Sequence, residues 1–339
     1  MHLLVGNPTA QSGKNAARIE RVRALLDEHG VPHRFLATLP GGGTVAAVAE
    51  ATRDPAVSVV IAMGGDGTFA EVAKGLLDSG RAEEVPLAML PTGTANDQGK
   101  SFGLSSAPAD LEANVLVIRR RCETRLDVGE ITLLDESGAV VRRERFFDSA
   151  GWGISPRVLQ VRNEDRRLIE SIPIVRELLR DHAVYAGAAL RTFLASYVED
   201  QKFDVTVVAD GQTVQWTGLT DLVVKATRIY GGMWVFAPES RHDDGRFEIV
   251  PFMGKRDWLS KAMVNLDPTG QLERDLATIG VTHSTALSGQ HIELTLAPHA
   301  GGPPLAAQID GEELLATPRA TIDVRPRALR LIVPREHAT

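Results

Sequence analysis

Apolar residues fall in two different rhythms along this chain. Over roughly the first third, short unbroken runs alternate with stretches in which apolar residues recur every three or four positions. His2 to Val5 reads as a buried strand, and Ile19, Val22, Leu25 and Leu26 mark one face of a helix that closes at Gly30. Val31 to Leu36 predicts a second strand, followed by an alanine-rich helix to Ala51. Val57, Val59, Val60, Ile61, Ala62 and Met63 form a run too short for a membrane span, which fits a parallel strand covered on both faces. Helical spacing resumes at Phe69, Val72, Ala73, Leu76 and Leu77, and Val85 to Leu90 is a further strand. The order βαβαβαβ predicts an α/β layer fold for residues 1 to about 120.

From about Leu126 the pattern changes to short extended runs. Phe203 to Val208 and Thr213 to Trp216 flank Asp210-Gly211, a hairpin signal. Leu222 to Lys225, Met233 to Phe236, Phe247 to Phe252, His291 to Leu296 and Ala306 to Ile309 read as more strands, the texture of an antiparallel β-sandwich. Pro156 to Ser196 is the exception, with helical spacing at Val158, Ile169, Ile172, Val175, Leu178 and Leu179. Its interleaved arginines and acids fit a solvated helix face better than a membrane-facing or substrate-covering one. The two rhythms predict two domains, 1–125 and 126–317.

The chemistry sits where strands stop. After Met63 comes Gly64-Gly65-Asp66-Gly67-Thr68, a glycine turn leading straight into a helix, the layout that presents backbone N–H groups to a phosphate. Asp66 would repel a phosphate unless a cation lies between them, which points to magnesium. The same residues also satisfy a relaxed dinucleotide fingerprint, with Asp78, Glu83 or Glu84 as a loose ribose acid, and a plain tight turn is the third reading. The first strand ends in Gly6-Asn7-Pro8-Thr9-Ala10-Gln11-Ser12-Gly13-Lys14, which is not a P-loop because Pro8 and Asn15 stand where glycine and Ser/Thr belong. It serves either as a phosphate-holding loop or as a plain connection. Thr38 to Thr44 and Pro91 to Asp97 complete four such junctions, and ligands collect at the carboxyl ends of parallel strands.

Composition narrows the function classes. The 339 residues are 43% hydrophobic and 24% charged, ordinary for a soluble enzyme, and the net charge of −7 gives no support to nucleic-acid binding. The single cysteine, Cys122, can form neither an internal disulfide nor a thiolate metal site, so a reducing, cytoplasmic setting is expected. The N-terminus lacks signal-peptide character, and no apolar run approaches the roughly 20 residues of a spanning helix, so any membrane contact is expected to be peripheral and transient.

Taken together, Gly64-Gly65-Asp66-Gly67-Thr68, Pro91-x-Gly93-Thr94-x-Asn96-Asp97 and Ile309-Asp310-Gly311-Glu312 make the sequence resemble the diacylglycerol-kinase catalytic-domain family, above all its bacterial soluble lipid kinases, with sphingosine and ceramide kinases as relatives. Asp148-Ser149-Ala150-Gly151-Trp152-Gly153, Gly231-Gly232-Met233 and Asp243-Asp244-Gly245-Arg246-Phe247 extend the likeness over nearly the whole chain. GGDGT alone is shared with NAD kinases and phosphofructokinases, whereas GTxND with the late DGE is more specific. The resemblance implies an α/β nucleotide domain and a C-terminal β-sandwich, with residues 318–339 returning to the first domain. It implies ATP held by Asn7, Thr9, Gly13, Thr38, Gly65, Asp66, Gly67, Thr68, Glu71 and Thr94, with Asp66 and Asp97 at the Mg²⁺–ATP end. Glu312 would be the general base, acting on the hydroxyl of a lipid met at a membrane surface. A second, structural magnesium would sit on Asp244 and the carbonyls of Arg241 and Arg246. A homodimer is compatible with this reading.

The residues support that chemistry on their own terms, because phosphoryl transfer needs a phosphate cradle, carboxylate-held Mg²⁺ and a carboxylate near the nucleophile. For Glu312 and for Asp243-Asp244-Gly245 the competing reading is a plain turn, since Asp310-Gly311 is itself a hairpin signature. The chain departs from the family at Ala70, where Asn is usual, at Gln98, where an aromatic is usual, and at Ser149, where Asn is usual. Ala10-Gln11 also lengthens the first loop. The expected activity is an ATP- and Mg²⁺-dependent lipid kinase. A kinase of NAD or a small alcohol and a silent nucleotide- or lipid-binding protein are the rivals.

Overall fold

The computed structural model describes residues 1–93, 95–157, 202–231, 235–254, 257, 287–300 and 304–339. The helix expected between Pro156 and Ser196 lies almost wholly outside these residues, as do the first half of the Met233–Phe236 strand, Gly232 and Thr94.

Four parallel strands form the N-terminal sheet: β1 (His2–Gly6), β2 (His33–Ala37), β3 (Val59–Gly64) and β4 (Leu87–Pro91), in the order β2-β1-β3-β4. Their runs are apolar throughout because both faces are covered. Leu3, Val5, Val60, Ala62, Leu87 and Met89 pack against α2 (Gly43–Arg53) and α3 (Asp66–Asp78). The alternate residues Leu4, Val59, Ile61, Met63, Ala88 and Leu90 pack against α1 (Lys14–Glu28) and α5 (Leu111–Arg120). A short helix, α4 (Asp97–Ser101), follows β4. All four strands point the same way, so the loops after Gly6, Ala37, Gly64 and Pro91 line one edge.

The C-terminal half is a sandwich. One layer is the antiparallel sheet β12-β11-β10-β7-β14-β15, built from β7 (Ser149–Gly153), β10 (Asp221–Lys225), β11 (Phe247–Phe252), β12 (Leu287–Gly289), β14 (Ala307–Ile309) and β15 (Glu312–Leu314). The other layer comprises β5 (Glu123–Leu134), β6 (Val140–Phe146), β8 (Phe203–Ala209), β9 (Gln212–Leu219), β13 (His291–Pro298) and β16 (Arg319–Ile332). Trp152, Phe146, Phe203 and Phe247 fill the space between the layers.

The halves are not joined by a linker. β5 crosses the expected 125/126 boundary, and β16 pairs with it along most of its length. Residues 319–323 of β16 lie beside β13 in the sandwich, whereas Leu331 and Ile332 pair in parallel with Leu87 and Ala88 of β4. A register break between Arg325 and Leu329 bends β16 at the crossing, where Arg327 takes φ 52°. Asp127, fully buried, holds that bend: Oδ1 accepts the Arg327 N–H at 2.7 Å and Oδ2 the Gly245 N–H at 2.6 Å. Burial pushes its carboxyl above the usual range, against the pull of these two donors. Replacing Asp127 by Ala leaves the buried Gly245 N–H without an acceptor, at about 1–3 kcal/mol, and frees the part-buried Arg327 N–H as well. The variant is therefore expected to unfold at lower urea with an unchanged m-value, and an unchanged midpoint would contradict this role.

Candidate active site

The GGDGT turn forms at the exit of β3. Gly65 is the extended residue before α3, no side chain caps that helix, and Asp66 is its first residue. Close packing explains the glycines. A Cβ on Gly64 would lie 2.3 Å from Thr68 Oγ1, and a Cβ on Gly93 would lie 2.5 Å from the Gly65 Cα. The loops after β3 and β4 thus touch backbone to backbone, and Thr92 N–H donates to Gly64 O at 2.8 Å. Thr68 packs back over Gly64 rather than standing out from the turn.

The β4 loop is fixed from within. Asn96, at φ 51°, accepts the Gly93 N–H at 2.9 Å on Oδ1 and donates to Gly93 O at 2.6 Å from Nδ2. Asp66 lies beside it, and its Oδ1 accepts the Gln98 N–H at 3.2 Å. Burial, with the nearby charge of Asp148, raises the Asp66 carboxyl to about 6, despite backbone donors that pull it down. A small pocket lined by Gly64, Gly65, Asp66, Phe69, Asn96 and Gln98 opens behind the turn.

The sandwich supplies the opposite wall. Asp310 and Gly311, at φ 48° and 79°, make the tight turn between β14 and β15, and Glu312 is the first residue after it. The hairpin reading of this DGE is therefore realised, and it leaves the functional reading of Glu312 open, because the same turn brings the acid to the cleft. A Cβ on Gly67 would come 3.2 Å from Glu312 Oε1, so the Glu312 carboxylate stands over the GGDGT turn. Asp310 points inward, its Oδ1 accepting the N–H groups of Phe147 (3.0 Å), Asp148 (2.7 Å) and Ser149 (3.2 Å). Asp148 in turn accepts Lys225 Nζ at 2.9 Å, Thr227 Oγ1 at 2.5 Å and Ser149 Oγ at 3.1 Å. Sequence reasoning had singled out neither Asp148 nor Lys225 as a site residue.

Burial and the Asp148 charge raise the Asp310 carboxyl from the ordinary 3.8 to about 7, outweighing its three donors. The folded chain therefore keeps this proton to higher pH than the unfolded chain. The stability tied to it is fully present below about pH 4 and is lost as pH rises through about 7. In Asp310→Asn that loss disappears, so the difference in urea midpoint between wild type and variant should shift in favour of the variant across this window. A difference that stays constant with pH would contradict it.

The expected nucleotide residues are distributed as follows. Asn7, Thr9 and Gly13 follow β1, Thr38 follows β2, and Gly65 to Thr68 with half-buried Glu71 begin α3, all at the same sheet edge. Asn7 Oδ1 accepts both the N–H (3.0 Å) and the hydroxyl (2.8 Å) of Thr9, and Asn15 Nδ2 donates to Asn7 O at 2.7 Å, so the first loop is held by its own side chains. Asp97 is buried, and its Oδ2 accepts the Gly231 N–H at 2.5 Å, which ties α4 to the sandwich. Gln98 does likewise through Nε2 to Phe147 O at 2.6 Å.

An active-site Mg²⁺ fits the residues present. Asp66 is a hard oxygen donor whose ionisation is opposed by burial and by Asp148, strain that a bound cation would relieve, and Mg²⁺ commonly takes one or two carboxylates plus substrate phosphates. The second magnesium set is arranged differently. Asp244 is exposed and its Oδ1 accepts the Arg246 N–H at 3.0 Å within its own turn, Arg246 reaches Asp210 at 2.9 Å, and Arg241 reaches Asp243 at 3.4 Å. Among the described residues no three His, Cys, Asp or Glu side chains are gathered to hold a metal.

Comparison with known proteins matches residues 1–131 to the diacylglycerol kinase catalytic domain and residues 174–333 to the YegS C-terminal NAD kinase beta sandwich-like domain. A probable lipid kinase YegS-like of Alcanivorax borkumensis is 26% identical over 325 residues, covering 95% of this chain and 94% of that protein. Among solved structures, a diacylglycerol kinase from Bacillus anthracis superposes with a TM-score of 0.68 at 20% identity, covering 99% of this chain and 97% of the other. Yeast NADH kinase superposes at 0.50 with 10% identity, covering 99% and 84%. These two likenesses concern the fold.

Proposed function

This chain belongs to the diacylglycerol kinase catalytic-domain family, and from that premise we propose that it transfers the γ-phosphate of ATP to a hydroxyl of diacylglycerol or a related lipid. The observation that carries the reading is the position of Glu312, a sandwich residue, over the Gly67 backbone of the phosphate-type turn. A carboxylate across a cleft from a phosphate cradle is what transfer to an alcohol requires.

In this reading the glycine turn and the first turn of α3 orient the triphosphate. Asp66 would hold a Mg²⁺ ion, which would supply charge neutralisation at the transferring group. Glu312 orients the acceptor hydroxyl and takes its proton as the new O–P bond forms and the bond to the ADP oxygen breaks. Asp97 and Gln98 hold α4, and with it the Gly93 loop, against the sandwich. Among the described residues no helix is long and apolar enough to cross a membrane, so we take the lipid to be met by transient contact with a membrane surface.

The test offers labelled ATP and Mg²⁺ with mixed micelles containing diacylglycerol, sphingosine, ceramide and monoacylglycerol, and with NAD in a parallel tube. Label in one of the lipids is the expected result. Label in NAD alone overturns the acceptor class, and no label anywhere while ATP binds overturns the kinase reading in favour of a binding role.

A further inference from the structure

We propose that Lys225 is a positioning residue for the transfer step, a buried peg that joins the two segments by which the sandwich grips α4 and so fixes Glu312 against the phosphate turn. The inference rests on the kinase reading for its consequence, and on hydrogen bonds alone for the clamp.

Lys225 ends β10 and is 1% exposed. An ammonium in such a place is costly unless it is paired and its N–H groups are used. Nζ donates to Asp148 Oδ1 at 2.9 Å and to Ile229 O at 2.7 Å, and it lies 5.2 Å from the centre of the Tyr230 ring. These partners belong to two different segments. Ile229 is in the loop 226–231, whose Ile229 N–H donates to Ser101 Oγ at 3.1 Å and whose Gly231 N–H donates to Asp97 Oδ2 at 2.5 Å. Asp148 is in the turn 147–149, whose Phe147 carbonyl accepts Gln98 Nε2 at 2.6 Å. Asp97, Gln98 and Ser101 all belong to α4. One segment therefore holds both ends of α4 and the other holds its middle.

The turn is bonded to the acid-bearing hairpin through the three N–H groups that Asp310 accepts. Lys225 connects this assembly to the Ile229 end of the loop, whose first residues are already bonded to the turn by the Thr227 hydroxyl at 2.5 Å and the Ala226 N–H at 2.8 Å, both donated to Asp148. A continuous path runs from the Glu312 turn through Asp310, Asp148, Lys225 and Ile229 to Ser101 at the end of α4, the helix that follows the β4 loop. A neutral amide has donors for these bonds but no charge, whereas the lysine tip reaches both acceptors and sets a positive charge against Asp148, which otherwise stands beside Asp66 and Asp310. Lys225 does not serve as a phosphate ligand here, because its ammonium is directed at Asp148 and the Ile229 carbonyl.

The test uses the full chain carrying Lys225→Met, followed by hydrogen exchange, direct ATP binding and steady-state kinetics with the lipid acceptor. Amide exchange should accelerate in peptides covering 147–149 and 226–231 but not in β3, and ATP affinity should stay near wild type. A displacement of Glu312 on the order of 1 Å should lower kcat by about 100-fold with little change in KM for ATP. Pairing Lys225→Gln with Asp148→Asn, which keeps hydrogen bonding without a lone buried charge, should restore part of the lost kcat. If Lys225→Met does not fold, Ser101→Ala cuts the same path at its far end and should give faster exchange in 226–231 and a smaller loss of kcat.

Wild-type exchange and kcat in whichever of these two single variants folds would overturn the proposal, as would a loss of ATP affinity in step with kcat. No recovery of kcat in the paired variant would also overturn it. Exchange does not depend on the acceptor. A predicted exchange response in a protein that phosphorylates no lipid overturns the kinase reading alone, and unaltered exchange beside intact lipid transfer overturns the clamp alone.

Discussion

Glu312→Gln is expected to abolish phosphoryl transfer while leaving ATP binding intact. The substitution keeps the size of the side chain and removes only its ability to accept a proton. The Glu312 carboxylate stands 3.2 Å from where a Gly67 Cβ would be, within the cleft but on the sandwich side, so the nucleotide contacts of the α/β domain are untouched. A positioned general base contributes about 10²–10⁴-fold, which sets the expected fall in kcat. The folded state should be unaffected, because Glu312 is exposed and Asp310, not Glu312, anchors the turn. Calorimetric ATP titration beside the transfer assay checks both halves. Near-normal turnover in Glu312→Gln would remove Glu312 from the mechanism, and a parallel loss of ATP binding would make it a nucleotide contact instead.

The second large effect is expected at Gly93, a residue with no side chain to contribute. Alanine there would place its Cβ 2.5 Å from the Gly65 Cα, 3.2 Å from the Gly65 nitrogen and 3.0 Å from Asn96 Oδ1. The first two are backbone atoms of the facing loop and cannot rotate aside, so the β3 and β4 loops must separate. Overpacking of this kind costs about 1–3 kcal/mol of stability. The functional cost should be larger than the stability cost, because the separation falls on the phosphate-binding edge: ATP affinity should drop about tenfold or more, in line with 1.4 kcal/mol per decade. Gly254→Ala is the control, since a Cβ there meets nothing within 4 Å, and it should be neutral in both measurements. Unchanged ATP affinity in Gly93→Ala would show that this contact does not shape the site.

How much of this was legible in the sequence depended on how far apart the partners lie. The parallel sheet was readable because a strand covered on both faces must be apolar throughout, and Val59 to Met63 carries that signal within five residues. Gly64 to Thr68 was readable as a tight strand-to-helix turn because its glycines are needed locally, although their contacts with Thr68 and Gly93 appear only in three dimensions. The return of residues 318–339 to the first domain was expected by resemblance, but that β5 and β16 each run through both halves was not legible in the sequence. Each is one strand with a change of surroundings partway along, and the bend at Arg327 is held by Asp127, 200 positions distant.

The Asp310-Gly311 turn carried two meanings that the sequence could not separate; the turn itself is seen, and the role of Glu312 after it is what the Glu312→Gln experiment decides. Lys225 was invisible as a site residue because it closes a strand in Leu-Val-Val-Lys, where a terminal lysine ordinarily reaches solvent. Its partner Asp148 lies 77 positions away, and no local pattern marks a buried ion pair. Asp97 was expected at the Mg²⁺–ATP end by resemblance alone; what the structure shows is a buried carboxylate that accepts the Gly231 N–H and joins the domains.

The measurement that bears most directly on the central claim is the identity and amount of the product. Wild-type protein is incubated with Mg²⁺, ATP and diacylglycerol-containing micelles, the lipids are extracted, and their phosphomonoesters are quantified by mass spectrometry against the ADP released. The account predicts a phosphorylated lipid formed in equal amount to ADP, dependent on the micelles and absent with Glu312→Gln. ADP released without a phosphorylated lipid, or phosphate recovered only on a water-soluble acceptor, would contradict it.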